Sequence, residues 1–141
     1  RVRGFAMNGF LNPPGLQQWQ AGYRPMRKLS DADGKQMSEI YVVLVQREDR
    51  INNGYFAVDM NGYNPRNPNA TRWVDYPAHY HNNAGGVTLA DAHAVIKKLG
   101  DPRTSVPIRK GVSIPIFVSS PKNADIFLLQ HRSAQRKPSR R

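Results

Sequence analysis

The sequence contains no cysteine, which excludes disulfides, cysteine-ligated zinc and thiol catalysis together. It has no apolar run near the roughly 18 residues that a membrane-crossing helix needs. The longest such runs, residues 41–45 and 126–129, have strand or short-segment length. Acids are scarce, with 10 Asp and Glu against 21 Lys and Arg, for a formal net charge of +11. Such self-repulsion opposes compaction and favours a polyanionic partner: RNA, DNA or an anionic membrane surface. No internal repeat, nucleophile–base signature, phosphate-cradling glycine loop or dinucleotide fingerprint is present. At 141 residues the chain suits one domain with tails.

The charge is unevenly placed. Residues 24–100 hold 10 basic and 8 acidic side chains, as an ordinary globular domain does, whereas residues 101–141 hold 9 basic and 2 acidic. These counts divide the chain into an irregular N-terminal extension over 1–23, a core over 24–100 and a basic, extended C-terminal extension over 101–141. The first segment has two arginines and no acid, with Asn12-Pro13-Pro14-Gly15 breaking any regular structure. Its composition faintly matches the flank of a removed organellar presequence. The last ten residues carry Arg132, Arg136, Lys137, Arg140 and Arg141 and no acid. Such a tail buries too little to fold alone and is suited to ordering along phosphates.

Within the core, residues 26–29 read as a short strand and residues 40–46, rich in β-branched side chains, as the best strand in the chain. Asn53-Gly54 can make a tight turn, so residues 55–60 are expected to return as its hairpin partner. Residues 73–76 read as another short strand. Residues 88–99 read as the clearest helix: Thr88 caps it, Leu89, Ala92, Ile96 and Leu99 share one face, and Lys97 and Lys98 fall in the last turn. Pro107, Pro115 and Pro121 confine any strand over 112–118 to an edge.

Three groupings could carry chemistry. His79 and His81, two residues apart, would share one side of a strand in a geometry metals use, but no cysteine supports them and the nearest following acid is Asp91. Glu48, Asp49 and Asp59 could serve a metal-dependent nuclease if they converged; local ion pairs with Arg47 and Arg50 are the simpler reading. Gly85-Gly86 could present N–H groups to an anion or act as a flexible joint. The aromatics Tyr55, Phe56, Tyr63, Trp73, Tyr76 and Tyr80 are mostly core or rim, with one or two free to stack on bases.

The order Gly34-Lys35, the strand 40–45, the charged run Arg47 to Arg50, Asn53-Gly54-Tyr55-Phe56 and then Gly62-Tyr63-Asn64-Pro65 resembles the bacterial-type small-subunit ribosomal protein number sixteen family. Further on, Tyr80 stands at that family's Trp position, followed by Gly85-Gly86, the Thr88 cap and Ile96-Lys97-Lys98. The resemblance spans residues 24–100. It departs in an offset first strand and in a rearranged Arg47-Glu48-Asp49-Arg50.

The resemblance implies an α+β fold, a small mixed sheet with one main packed helix and irregular N- and C-terminal extensions. It implies a structural, non-enzymatic protein of the small ribosomal subunit that binds rRNA, aids assembly and touches neighbouring ribosomal proteins through its extensions. No cofactor, metal, membrane or small-molecule substrate is implied. The long extensions resemble those of a mitochondrial version, placing it in the matrix. Arg27, Lys28, Lys35, Arg47, Arg50, Arg66 and Arg72 are then expected at phosphates and riboses. Lys97 and Lys98 would join them from the helix end. Tyr63-Asn64-Pro65 would form a corner against RNA, and Arg132, Arg136, Lys137, Arg140 and Arg141 would follow the backbone. The rival readings are a protein-interaction subunit of another organellar complex and the nuclease.

Overall fold

The computed structural model describes residues 4–13, 15, 17–20, 22–32 and 35–133. Its centre is β2 (Tyr41–Gln46), where Tyr41, Val42, Val43, Leu44 and Val45 favour a pleated, buried chain. β2 lies between β1 (Gly4–Asn8) and β5 (Ala84–Leu89), antiparallel to both. β3 (Tyr55–Phe56) adds to β1 in parallel, and β6 (Ala94–Lys98) closes the other edge. The sheet order is β3-β1-β2-β5-β6. A second, two-stranded sheet pairs β4 (Arg72–Trp73) with β7 (Val118–Ser119), and the helix α1 (Ala124–Ser133) sends Ile126 and Leu129 into the core shared with Tyr41 and Leu44. The class is α+β, a mixed sheet with one main helix and long irregular stretches towards both ends, as expected.

The register of β2 explains its unbroken apolar run. Tyr41 pairs with Leu89 but Val43 with Thr88, so Val42 is an extra residue. This bulge lets both Tyr41 and Leu44 face the core. Tyr41, Phe56, Phe10, Met60, Ile126 and Leu129 meet there.

Several elements differ from the sequence reading. Residues 4–8 form a strand where an irregular extension was expected, and Ala6 and Phe10 enter the core. Gly54 has the expected positive φ of 77°, yet residues 55–60 do not pair with β2, because β1 sits between them. Beyond Phe56 that segment bonds elsewhere: Ala57 N donates to the Asp75 carboxylate at 2.7 Å and Met60 N to Trp19 O at 2.8 Å. Met26 makes one bridge, to Leu11, and Leu29–Ala32 is a 3-10 turn.

The expected helix over 88–99 is a hairpin. Leu89 N donates to His93 O at 2.8 Å and Ala92 N to Leu89 O at 3.1 Å. Ala92 takes φ 71°, the left-handed third position of a three-residue hairpin loop. Leu89 and Leu99 are buried as a helical face required, but Ala92 and Ile96 are exposed. Gly85 and Gly86 are strand residues, not a joint. A Cβ on Gly85 would lie 2.5 Å from the Ala78 carbonyl oxygen, so only glycine lets these backbones meet.

The helix that does form starts at Asn123, whose Oδ1 accepts from Asp125 N at 3.0 Å and Ile126 N at 3.2 Å, a side-chain N-cap. It is tied to distant parts of the chain. Gln130 Nε2 donates to Asp59 O at 2.7 Å, and Asn8 Nδ2 donates to both Ser133 O and Tyr41 O. Asp125 accepts from Gly100 N, Asp101 N and Thr104 Oγ1. Part of residues 101–141 is therefore core. Among the described residues no helix is long and apolar enough to cross a membrane.

Candidate nucleic-acid interface

Three arginines expected at phosphates are occupied inside the protein. Arg47 is fully buried: Nε and Nη2 grip Asp49 at 2.9 and 2.6 Å, Nη1 donates to Val106 O, and the guanidinium lies 5.8 Å from the Tyr76 ring centre. It has no surface to offer RNA. Arg50 Nε donates to Val74 O and lies 3.3 Å from Asp75 Oδ1. Burial raises the Asp75 carboxyl to about 6, against the opposing pull of Ala57 N–H and Arg50. Arg72 reaches Asp59 at 2.5 Å and covers the Phe117 ring, leaving its side chain partly exposed.

The acids follow the same rule. Asp31 accepts from Arg27 N and Lys28 N, Glu39 from Gln36 N, and Glu48 from the Tyr80 hydroxyl. Asp91 holds His93, and Asp101 holds Arg103. With Asp49, Asp59, Asp75 and Asp125, every described acid is engaged by this chain's own donors. Most of the exposed cations are not matched in this way. Arg27, Lys28, Arg66, Lys97, Lys98, Arg109, Lys110 and Lys122 are exposed, and none forms a salt bridge among the described residues. Asp59, Asp75 and Asp125 are buried, while Glu48 and Asp91 stay exposed, so the described surface carries both signs with positive charge in excess.

The best-formed part of that surface surrounds Tyr63-Asn64-Pro65-Arg66. Asn64 Oδ1 accepts from Arg66 N at 2.9 Å, and Asn64 O accepts from Asn67 N, fixing a tight corner. Arg66 stands exposed upon it, and Lys122 is brought alongside because its N–H donates to Pro68 O. Tyr63 packs against Tyr23 and Phe127, and its hydroxyl meets His131 Nδ1 at 3.0 Å. Partial burial raises the Tyr63 hydroxyl above its ordinary value. Lys35 Nζ donates to His131 O in the last turn of α1, where a cation is favoured. Its burial lowers its pKa. Lys35 is therefore partly a helix cap, and half-buried Arg132 follows on the last turn.

The structure thus brings together Tyr63, Asn64, Pro65, Arg66, Lys35 and Arg132. Arg27 and Lys28 lie apart, beside Leu29, and Lys97 and Lys98 stand on an edge strand rather than at a helix end. Arg136, Lys137, Arg140 and Arg141 lie outside the described residues. Sequence reasoning missed Lys122, Arg109, Lys110 and His131, whose only signal was membership of the basic segment 101–141.

Glu48, Asp49 and Asp59 do not converge, since each is held by a different partner. His79 stacks on Tyr80 and is half-buried, which lowers its pKa, while His81 is exposed. No group of three His, Asp or Glu side chains that could hold a metal gathers among the described residues. A cleft of about 220 Å³ opens beside Asp75 and Arg50, walled by Trp19, Tyr55 and Phe117. Comparisons with protein-family models, with curated proteins and with solved structures return no match.

Proposed function

We propose that this protein is a non-catalytic RNA-binding component of a ribonucleoprotein particle. The observation that supports the reading is the excess of positive charge at the surface: Asp59, Asp75 and Asp125 are buried, while eight exposed lysines and arginines, Arg66 and Lys122 among them, form no salt bridge among the described residues. Phosphate neutralisation by such side chains releases counterions and dominates affinity for nucleic acid. The rigid Tyr63–Arg66 corner adds a shaped element with a cation and an aromatic, which favours folded RNA recognised by shape and backbone.

The resemblance over residues 34–65 makes the small ribosomal subunit the particle, and the long flanking segments make its mitochondrial form the specific proposal. There the protein would brace small-subunit rRNA during assembly and meet neighbouring ribosomal proteins. With residues 88–99 forming a hairpin, the resemblance rests on residues 34–65. The test is sedimentation of a tagged full chain from a gentle mitochondrial lysate, with and without ribonuclease. Migration with the small subunit that is lost on digestion supports the reading. A light or ribonuclease-resistant peak overturns it and favours an interaction subunit.

A further inference from the structure

We infer that the free edge of β6 is a docking site for an extended segment of another protein that reads acidic-acidic-apolar-apolar along its chain. The inference does not depend on the RNA reading.

Among the described residues β6 is the last strand of its sheet, and all five of its residues are exposed. Its hydrogen-bond parity is fixed at both ends, because Leu89 N donates to His93 O and Leu99 N to Asn83 O. Bonded pairs alternate in an antiparallel ladder, so Val95 and Lys97 turn their backbone groups to β5. Ala94, Ile96 and Lys98 turn theirs to the open side. An exposed apolar strand with a free ladder is a template for strand addition. Ile96 is 71 % and Val95 41 % exposed, on opposite faces, so a strand added here would cover both.

Charge selects the occupant. Lys97 and Lys98 form no salt bridge among the described residues. In antiparallel addition the incoming strand opposes, from its N-terminal side, Lys98, Lys97, Ile96 and Val95. Carboxylates fit the first two places and apolar side chains the last two. A second copy fits poorly: β6 against itself, centred on Ile96, sets Lys97 opposite Val95 and Lys98 opposite Ala94, with no counter-charge. Nor can the chain's own ends serve, because residues 1–3 and 134–141 contain no acid.

The experiment uses the full chain and a synthetic peptide, Thr-Thr-Glu-Glu-Val-Val-Thr-Thr, with a Lys-Lys counterpart as control. Binding is followed by fluorescence anisotropy and by amide hydrogen exchange. The expected result is slowing of exchange by about tenfold or more at Ala94, Ile96 and Lys98 but not at Val95 or Lys97, which are already bonded. Ile96→Pro should weaken binding by about tenfold or more, since it removes an outward N–H and no β5 bond. The double variant Lys97→Glu with Lys98→Glu should reverse the preference towards the Lys-Lys peptide, and it stands as the test if Ile96→Pro disturbs the hairpin. No binding at about 1 mM peptide, the weak end of measurable affinity, would overturn the inference. So would binding without protection at the three amides, or self-association or anionic-vesicle binding through this edge in its place.

Discussion

Replacing Arg47 with alanine should damage the fold and spare the RNA surface. Arg47 is completely buried and its partner Asp49 nearly so, with side-chain exposures of 0 and 9 %. The change strips Asp49 of two charge-assisted bonds and leaves the Val106 carbonyl without its donor. Breaking a buried pair from one side costs about 3–5 kcal/mol. The residual exposure of Asp49 lets water recover part of this, so the lower end, about 3 kcal/mol, is expected, with lost packing against Tyr76 adding to it. For a small domain whose urea sensitivity is on the order of 2 kcal/mol per molar, the midpoint should fall by about 1.5 M. Equilibrium urea unfolding of wild type, Arg47→Ala, Asp49→Ala and the double variant would measure it, with the double variant costing less than the sum of the singles. RNA affinity per folded molecule should be unchanged. A loss below about 1 kcal/mol, or a stable variant that no longer binds RNA, would refute the reasoning and return Arg47 to the interface.

Ala92→Gly separates the hairpin from the helix. Relief of a left-handed alanine should stabilise the protein by up to about 1 kcal/mol, whereas glycine inside a helix over 88–99 would cost about 1 kcal/mol; thermal unfolding reads the sign. Asp75→Asn tests the buried carboxyl. Its folded pKa of about 6 lies above the ordinary 3.8, so the folded state keeps a proton that the unfolded chain releases. The contribution of Asp75 to wild-type stability is therefore fully present below about 3.8 and is lost as pH rises through about 6. The stability difference between variant and wild type should move in favour of asparagine by on the order of 2–3 kcal/mol between pH 3.5 and 7. A pH-independent difference in urea unfolding would show that Asp75 keeps an ordinary pKa.

How far the sequence could be read depended on whether each element's signal was local. β2 was legible because its β-branched residues run together, and the bulge at Val42 accounts for their lack of alternation. The positive φ at Gly54 was legible from Asn53-Gly54. The pairing of β1 with β2 was not, since Gly4 meets Gln46 across a long loop and no short-range pattern announces that contact. Residues 88–99 misled because Ala90, Asp91 and Ala92 are as compatible with a helical turn as with a hairpin loop. The real helix was hidden for a different reason. Its buried face joins Ile126 and Leu129 to Asp125, Gln130 and Ser133, so half of its periodic signal is polar, and only Asn123 marks its start. At the candidate interface, Tyr63 to Arg66 was legible as a corner. The division of arginines into buried clamps and free cations was not, because an arginine near an acid looks the same in sequence whether the pair is buried or solvated.

The most direct test of the central claim is the salt dependence of the full chain's affinity for a folded RNA. If the unmatched surface cations neutralise phosphates, log affinity should fall linearly with log salt, with a slope steeper than about −3. Arg66→Glu combined with Lys122→Glu should flatten that slope without altering the unfolding midpoint. Absence of binding at about 50 mM salt, or binding indifferent to salt, would contradict the account.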